Sequence, residues 1–369
     1  MKVRLFGRRR ARFAAAATEE ARASSGGLVG EPEDMVAERH PPTPPLEFAA
    51  AAGVRPPASG VTQEGERRVD PAPVPAAGSP AGHSPPPASG KASAPNGSVA
   101  DDEDGGPGGA RPSVRFSGMK TFAVANQKGG VGKTTTAVNV AACIAEAGYP
   151  TLLIDIDPQA NATVGIGAAR DLAPSVYDVL AGTCAAGDAV HPTGVDGLYL
   201  MPAGVGLAGA NVELPRVAGS ETLLREALAA LGDRFAFVLL DCPPSLGPLT
   251  VNALVAADRL IVPVQTEYYA LEGLAALLDT VKLVQGDLNP RLRVAGMLLT
   301  MHDSRTRLGR DVANEVRQHF PELVYDTVIP RNVRIGEAPS FGVPITVHAP
   351  RCAGSDAYVA LAKEVAARA

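Results

Sequence analysis

A chain of 369 residues is long enough for two average domains, or for one larger α/β domain carrying a tail. Its formal net charge of −5 excludes a surface coated in cations, so any contact with nucleic acid has to come from a local basic patch. The four cysteines, Cys143, Cys184, Cys242 and Cys352, stand far apart with no C-x-x-C pair, as expected of a reduced cytoplasmic protein.

Residues 1–118 are dominated by Ala, Pro, Gly, Ser and charge, with runs such as Ser84-Pro85-Pro86-Pro87-Ala88 and Asp101-Asp102-Glu103-Asp104-Gly105-Gly106-Pro107. So few large apolar residues cannot offset the entropy of ordering, and dense Pro and Gly remove backbone hydrogen bonds, so this stretch is expected to be a disordered tail. At its start, Arg8-Arg9-Arg10-Ala11-Arg12-Phe13 looks like a twin-arginine signal, but the apolar run after it is short and ends in Thr18-Glu19-Glu20. A solvated charge run, or a basic arm for DNA or acidic lipid, is the better reading. No stretch approaches the length of a membrane-spanning helix.

From Met119, a candidate start codon, apolar runs alternate with amphipathic segments over about 250 residues, enough for one well-filled domain at 119–369. Residues 121–126 (TFAVAN) predict a strand that runs directly into glycines. Residues 133–147 then place Ala137, Val140, Ile144 and Ala147 at helical spacing. Residues 151–154 (TLLI) and 235–240 (FAFVLL) predict buried strands that end in carboxylates. Residues 260–264 and 294–300 predict two more, followed by helices at 271–285 and 308–320. Strands alternating with helices imply an α/β fold, a mostly parallel twisted sheet with helices on both faces. Ligands of such sheets sit at the carboxyl ends of the strands, where the glycines and aspartates fall.

Lys128-Gly129-Gly130-Val131-Gly132-Lys133-Thr134-Thr135 follows a strand and opens a helix, the context that a P-loop NTPase requires. Glycines let successive N–H groups face one phosphate, and the helix amino end adds positive potential. Lys133 reaches the β- and γ-phosphates of ATP, the Thr134 hydroxyl ligates Mg²⁺ and Thr135 donates to the α-phosphate. Asp241, at the end of an apolar strand, is placed to hold the metal partly through water. In Asp155-Ile156-Asp157 the first carboxylate closes a strand and is assigned to the metal-water network. The second begins the loop.

Lys128 stands where an ordinary P-loop demands no charge. The run K-G-G-V-G-K-T-T resembles the deviant Walker A motif of the ParA/MinD superfamily. Asn126-Gln127 before it and Asp155-Ile156-Asp157-Pro158-Gln159-Ala160-Asn161 after it resemble the ParA/Soj branch. The similarity runs from Met119 nearly to the carboxyl end. It implies an ATPase that forms a homodimer on ATP, with Lys128 crossing to the partner's nucleotide and Asp157 orienting the attacking water. It implies a slow basal rate raised by a ParB-like adaptor, non-specific binding to double-stranded DNA, and a place in the cytoplasm on the nucleoid, driving chromosome or plasmid segregation.

Val328-Ile329-Pro330-Arg331-Asn332 resembles the family segment that touches adenine, through Pro330 and Asn332, although Asn332 is equally suited to capping the next turn. Arg305 and Arg334 match DNA-contacting positions of the Soj branch, and Arg305, Arg307 and Arg310 cluster in one segment. No helix-turn-helix is traceable in the amino-terminal tail, so operator reading is not expected. The runner-up is a MinD-like membrane-cycling ATPase, which needs a terminal helix with a large apolar face edged by Lys and Arg. The Ala-rich, weakly basic residues 358–368 suit packing on the domain instead.

Overall fold

The computed structural model describes residues 118–267 and 272–369. The predicted tail, including the arm at 8–12, lies outside the described residues except for Gly118. Seven strands make one sheet: β1 Lys120–Val124, β2 Thr151–Asp155, β3 His191–Pro192, β4 Leu198–Met201, β5 Phe237–Asp241, β6 Arg259–Gln265 and β7 Arg293–Thr300. Their order is β3-β4-β2-β5-β1-β6-β7. Every pair is parallel except β3 with β4, an antiparallel edge.

The helices are α1 Lys133–Glu146, α2 Asn161–Gly165, α3 Val176–Leu180, α4 Leu207–Glu213, α5 Leu223–Ala229, α6 Pro248–Ala256, α7 Glu272–Asp287, α8 Arg307–His319, α9 Val333–Glu337, α10 Ile345–His348 and α11 Ala353–Ala367. The predicted strands and long helices are present, with ends moved by no more than two residues. The elements between 161 and 229 had no expectation attached. They are short helices and two strands of two and four residues, too brief to show a period of either kind.

Alternate residues of the strands point to opposite faces, which gives two cores. On one face Phe122, Val124, Leu153, Phe237 and Leu239 pack with Val140 and Ile144 of α1 and with Tyr358, Leu361 and Val365 of α11. On the other Leu152, Ile154, Val238, Leu240 and Val262 pack with Leu224, Leu228, Leu249, Leu254, Leu274 and Leu277. The apolar face of α11 is thus already buried, as its Ala-rich sequence suggests. None of the described helices is long and apolar enough to cross a membrane.

Candidate nucleotide site

β1 lies between β5 and β6, and its carboxyl end carries the glycine loop. The loop is moored on three sides. Asn126 Nδ2 donates to the Pro263 carbonyl of β6 at 2.7 Å, and Asn126 Oδ1 accepts from Lys128 N at 3.0 Å. Thr300 Oγ1, at the end of β7, donates to the Val131 carbonyl at 2.8 Å. Gly130 and Gly132 adopt φ of +75° and +89°, where a side chain would be strained. Gly132 caps α1 with no side-chain hydrogen bond, and the first turn holds no acid. The first N–H groups of the helix therefore keep their donors for an anion.

Lys133 opens α1 and is buried, with Nζ donating to the Lys128 carbonyl at 3.0 Å. Burial lowers its pKa, and the Asp241 carboxylate is the main opposing influence. Beneath it, Asp155 and Asp241 close β2 and β5 as partners in register, both fully buried. Two carboxyls one strand spacing apart in a dry site cannot both ionise at little cost. Burial, and then Asp155, push Asp241 well above the ordinary carboxylate range, while Thr134 and Lys133 pull the other way. Burial likewise lifts Asp155 to about 6 against its hydrogen bonds from Thr163 and Asp157.

The two acids do different work. Asp155 Oδ2 accepts from Thr163 N at 2.7 Å and Thr163 Oγ1 at 2.8 Å, and Oδ1 accepts from Asp157 N at 3.1 Å. Three donors shape the loop that carries Asp157 and leave Asp155 one lone pair, the capacity that its assignment to the metal-water network would use. Neither buried oxygen of Asp241 receives a hydrogen bond of good geometry, although the Thr134 side chain stands close enough to draw its pKa down. An orphaned carboxylate beside the Thr134 side chain fits a hard divalent cation, which takes oxygen ligands. No group of three or more His, Cys, Asp or Glu suited to a metal occurs among the described residues. Mg²⁺ uses one or two protein oxygens and fills its octahedron with phosphate and water.

Asp157 is 5% exposed. Its Oδ1 accepts from Gln159 N at 2.9 Å, an Asx turn that aims the side chain while leaving Oδ2 for another partner. A cavity of about 330 Å³ opens between α1, α2 and the turn Ala338–Phe341, lined by Thr134, Thr135, Asn139, Asn161, Arg170 and Pro339 among others. Pro330 and Asn332 do not line it. Asn332 Oδ1 caps α9 through Arg334 N at 2.9 Å, so of its two expected uses the cap is formed in the structure.

The family resemblance sends Lys128 to a partner's nucleotide and gives it no use within one subunit. Instead its Nζ lies 3.8 Å from Glu267 Oε2, because β6 ends beside β1 and brings Glu267 to the loop. Arg305 and Arg334 are exposed, as a DNA contact requires, yet each holds an acid of its own. Arg305 forks onto Asp303 at 2.9 and 2.8 Å, and Arg334 donates to Glu337 at 2.9 Å. Arg307 pairs with Asp311 at 3.4 Å. The segments bearing Arg305 and Arg334 are joined by backbone: His302 N donates to the Ile329 carbonyl and Arg331 N to the His302 carbonyl, each at 3.0 Å. Sequence reasoning also passed over Thr163 and Thr300. A hydroxyl closing the apolar run 294–300 was a signal for Thr300; Thr163 had none.

Residues 119–294 match the protein family described as an AAA domain. The chain is 55% identical over 250 residues to the chromosome-partitioning ATPase Soj of Thermus thermophilus, spanning 68% of this chain and 96% of that one. It is 49% identical over 253 residues to the chromosome partitioning protein ParA of Caulobacter vibrioides, spanning 68% and 95%. A solved Mycobacterium smegmatis chain described as cobyrinic acid a,c-diamide synthase, with ADP and magnesium bound, is similar at a TM-score of 0.59 and 40% identity, covering 66% of this chain and 93% of that one.

Proposed function

Because the chain belongs to the ParA/Soj family of chromosome-partitioning ATPases, we propose that two copies pair around ATP, bind double-stranded DNA without regard to sequence, and release it when a ParB-like adaptor speeds hydrolysis. The ATPase chemistry is the first part of this reading. Its carrying observation is the pair of orphaned Asp241 oxygens beneath the P-loop lysine. Bound Mg²⁺ would neutralise charge on the β- and γ-phosphates. Thr134 and Asp241 would hold it, Lys133 would balance the γ-phosphate, and the α1 amino end would cradle the phosphate oxygens.

Asp157, aimed by Asp155 and by its own turn, is assigned to orient water at the γ-phosphate. Lys128 is assigned to the nucleotide of the second copy, and Arg305 with Arg334 to DNA phosphates. The cytoplasm and the nucleoid are the proposed setting. The buried apolar face of α11 favours this reading over membrane cycling.

The test is ATP turnover with and without duplex DNA and a ParB-like protein. Slow basal hydrolysis should rise when both are present, and a high rate indifferent to both would overturn the partitioning cycle. Asp157→Ala should still bind ATP and accumulate as an ATP dimer while hydrolysing slowly. Loss of ATP binding in that variant would move Asp157 into the metal's shell.

A further inference from the structure

Glu267 stands two residues beyond β6 and gathers groups from three segments. Gln265 Nε2, on the last residue of β6, donates to Glu267 Oε1 at 2.6 Å and so fixes the carboxylate. The same oxygen lies 3.5 Å from Arg331 Nη2, in the segment next to α9. Oε2 faces Lys128 Nζ at 3.8 Å. One acid thus holds Lys128 of the glycine loop and Arg331 of the 328–332 segment together. All three side chains are part-exposed, at 32% for Lys128, 46% for Glu267 and 61% for Arg331. Pairs this open are weak and exchange readily, which suits a contact made to be broken and not one that holds the fold.

We propose that Glu267 is a positioning residue, a latch that keeps the Lys128 ammonium on its own subunit until pairing of two ATP-loaded copies draws it across to the partner's phosphates. The proposal rests on the pairing reading above. In a single copy the lysine's charge is satisfied in cis by Glu267. Crossing the interface requires that pair to open, so the latch opposes pairing by whatever the pair is worth. The triphosphate offers Lys128 a denser negative charge than one carboxylate does, so the exchange becomes favourable only with ATP at the interface. Arg331 keeps Glu267 from being stranded when the lysine leaves. The same arrangement keeps a flexible cation off the loop's own phosphate site in the single subunit.

Glu267→Gln keeps shape and hydrogen-bonding capacity and removes the charge. The first measurement needs no dimer: in nucleotide-free protein, the rate at which an N-hydroxysuccinimide ester acylates Lys128, read by mass spectrometry against exposed Lys363 of α11. The variant should raise the Lys128 rate relative to Lys363, and an unchanged ratio overturns the latch. The second is light scattering with Mg²⁺ and a non-hydrolysable ATP analogue over a range of protein concentration. An exposed pair shifts an equilibrium by about two- to fivefold, and two copies must each open one, so the dimer should form at about four- to twenty-five-fold lower dissociation constant. A dimer that forms no more readily, or less readily, overturns the proposal and makes Glu267 a contact across the interface instead. A wild-type chain that stays monomeric with the analogue sinks the pairing reading itself, and the acylation ratio separates that failure from failure of the latch.

Discussion

Asp241 and Asp155 are both buried strand-end acids, in register on neighbouring strands, and what separates them is the supply of donors. Asp155 takes three hydrogen bonds and Asp241 takes none. An unpaired buried carboxylate costs stability, and the cost is tolerated where binding recovers it. Asp241→Asn should therefore raise the melting temperature of the nucleotide-free chain, by about 2–4 °C for each kcal/mol relieved, while abolishing Mg²⁺-dependent turnover. The pH sense follows from the direction of the shift. The folded pKa lies above the unfolded one, so the native protein keeps this stability at pH below the unfolded value and loses it as pH rises through the folded value. The gain from Asn should accordingly be larger at pH 8 than at pH 5. Thermal melts at both pH values check this, and a variant less stable than the wild type at pH 8 would mean that the carboxylate is paired after all.

At the scale of elements, the work is done by helix ends and by the loops that meet them. α1 begins on a glycine with no cap and no acid, which leaves its end positive and its N–H groups free. A Cβ at Gly129 would meet nothing within 4 Å of this chain, so crowding from a larger side chain there would fall on nucleotide or on a second copy. The segment leading into α8 tells a similar story with charge. Composition marks Arg305, Arg307 and Arg310 as basic, but Asp303 and Asp311 are folded onto two of them. To meet a DNA phosphate, as proposed, Arg305 would have to give up the Asp303 carboxylate, which that guanidinium holds well below its usual range. Arg305→Ala and Arg334→Ala should weaken binding to all duplexes alike and reduce the salt slope by about one unit per lost contact in each subunit. Asp303→Asn should act in the opposite sense, tightening DNA binding by freeing the fork. Affinity against salt, measured with non-hydrolysable ATP, tests both, and three unchanged curves would make these ordinary surface charges.

For the whole molecule, the described part from Gly118 onward forms a two-faced α/β layer, and the glycine loop, Lys133, Thr134 and the strand-end acids all lie after Met119. A chain starting at Met119 should keep its ATPase activity, and loss of activity with an intact circular dichroism spectrum would show that residues 1–118 take part in chemistry or assembly. Some of this is legible in the amino-acid order alone. The glycine loop, Lys133, Thr134 and the strand-end acids follow from it, because strand, turn and helix amino end are consecutive in the chain and their chemistry is carried by adjacent residues. Alternation of apolar runs likewise implies the parallel sheet. Charge pairing and donor supply are not legible there, because they depend on which distant strand ends stand side by side. The order β5-β1-β6 sets Glu267 against Lys128, and the pairing of β2 with β5 puts Asp155 beside Asp241. The chain folding back after β2 brings Thr163 to Asp155 and leaves Asp241 bare, so that a readable motif acquires a bare carboxylate, an anchored loop and a held lysine.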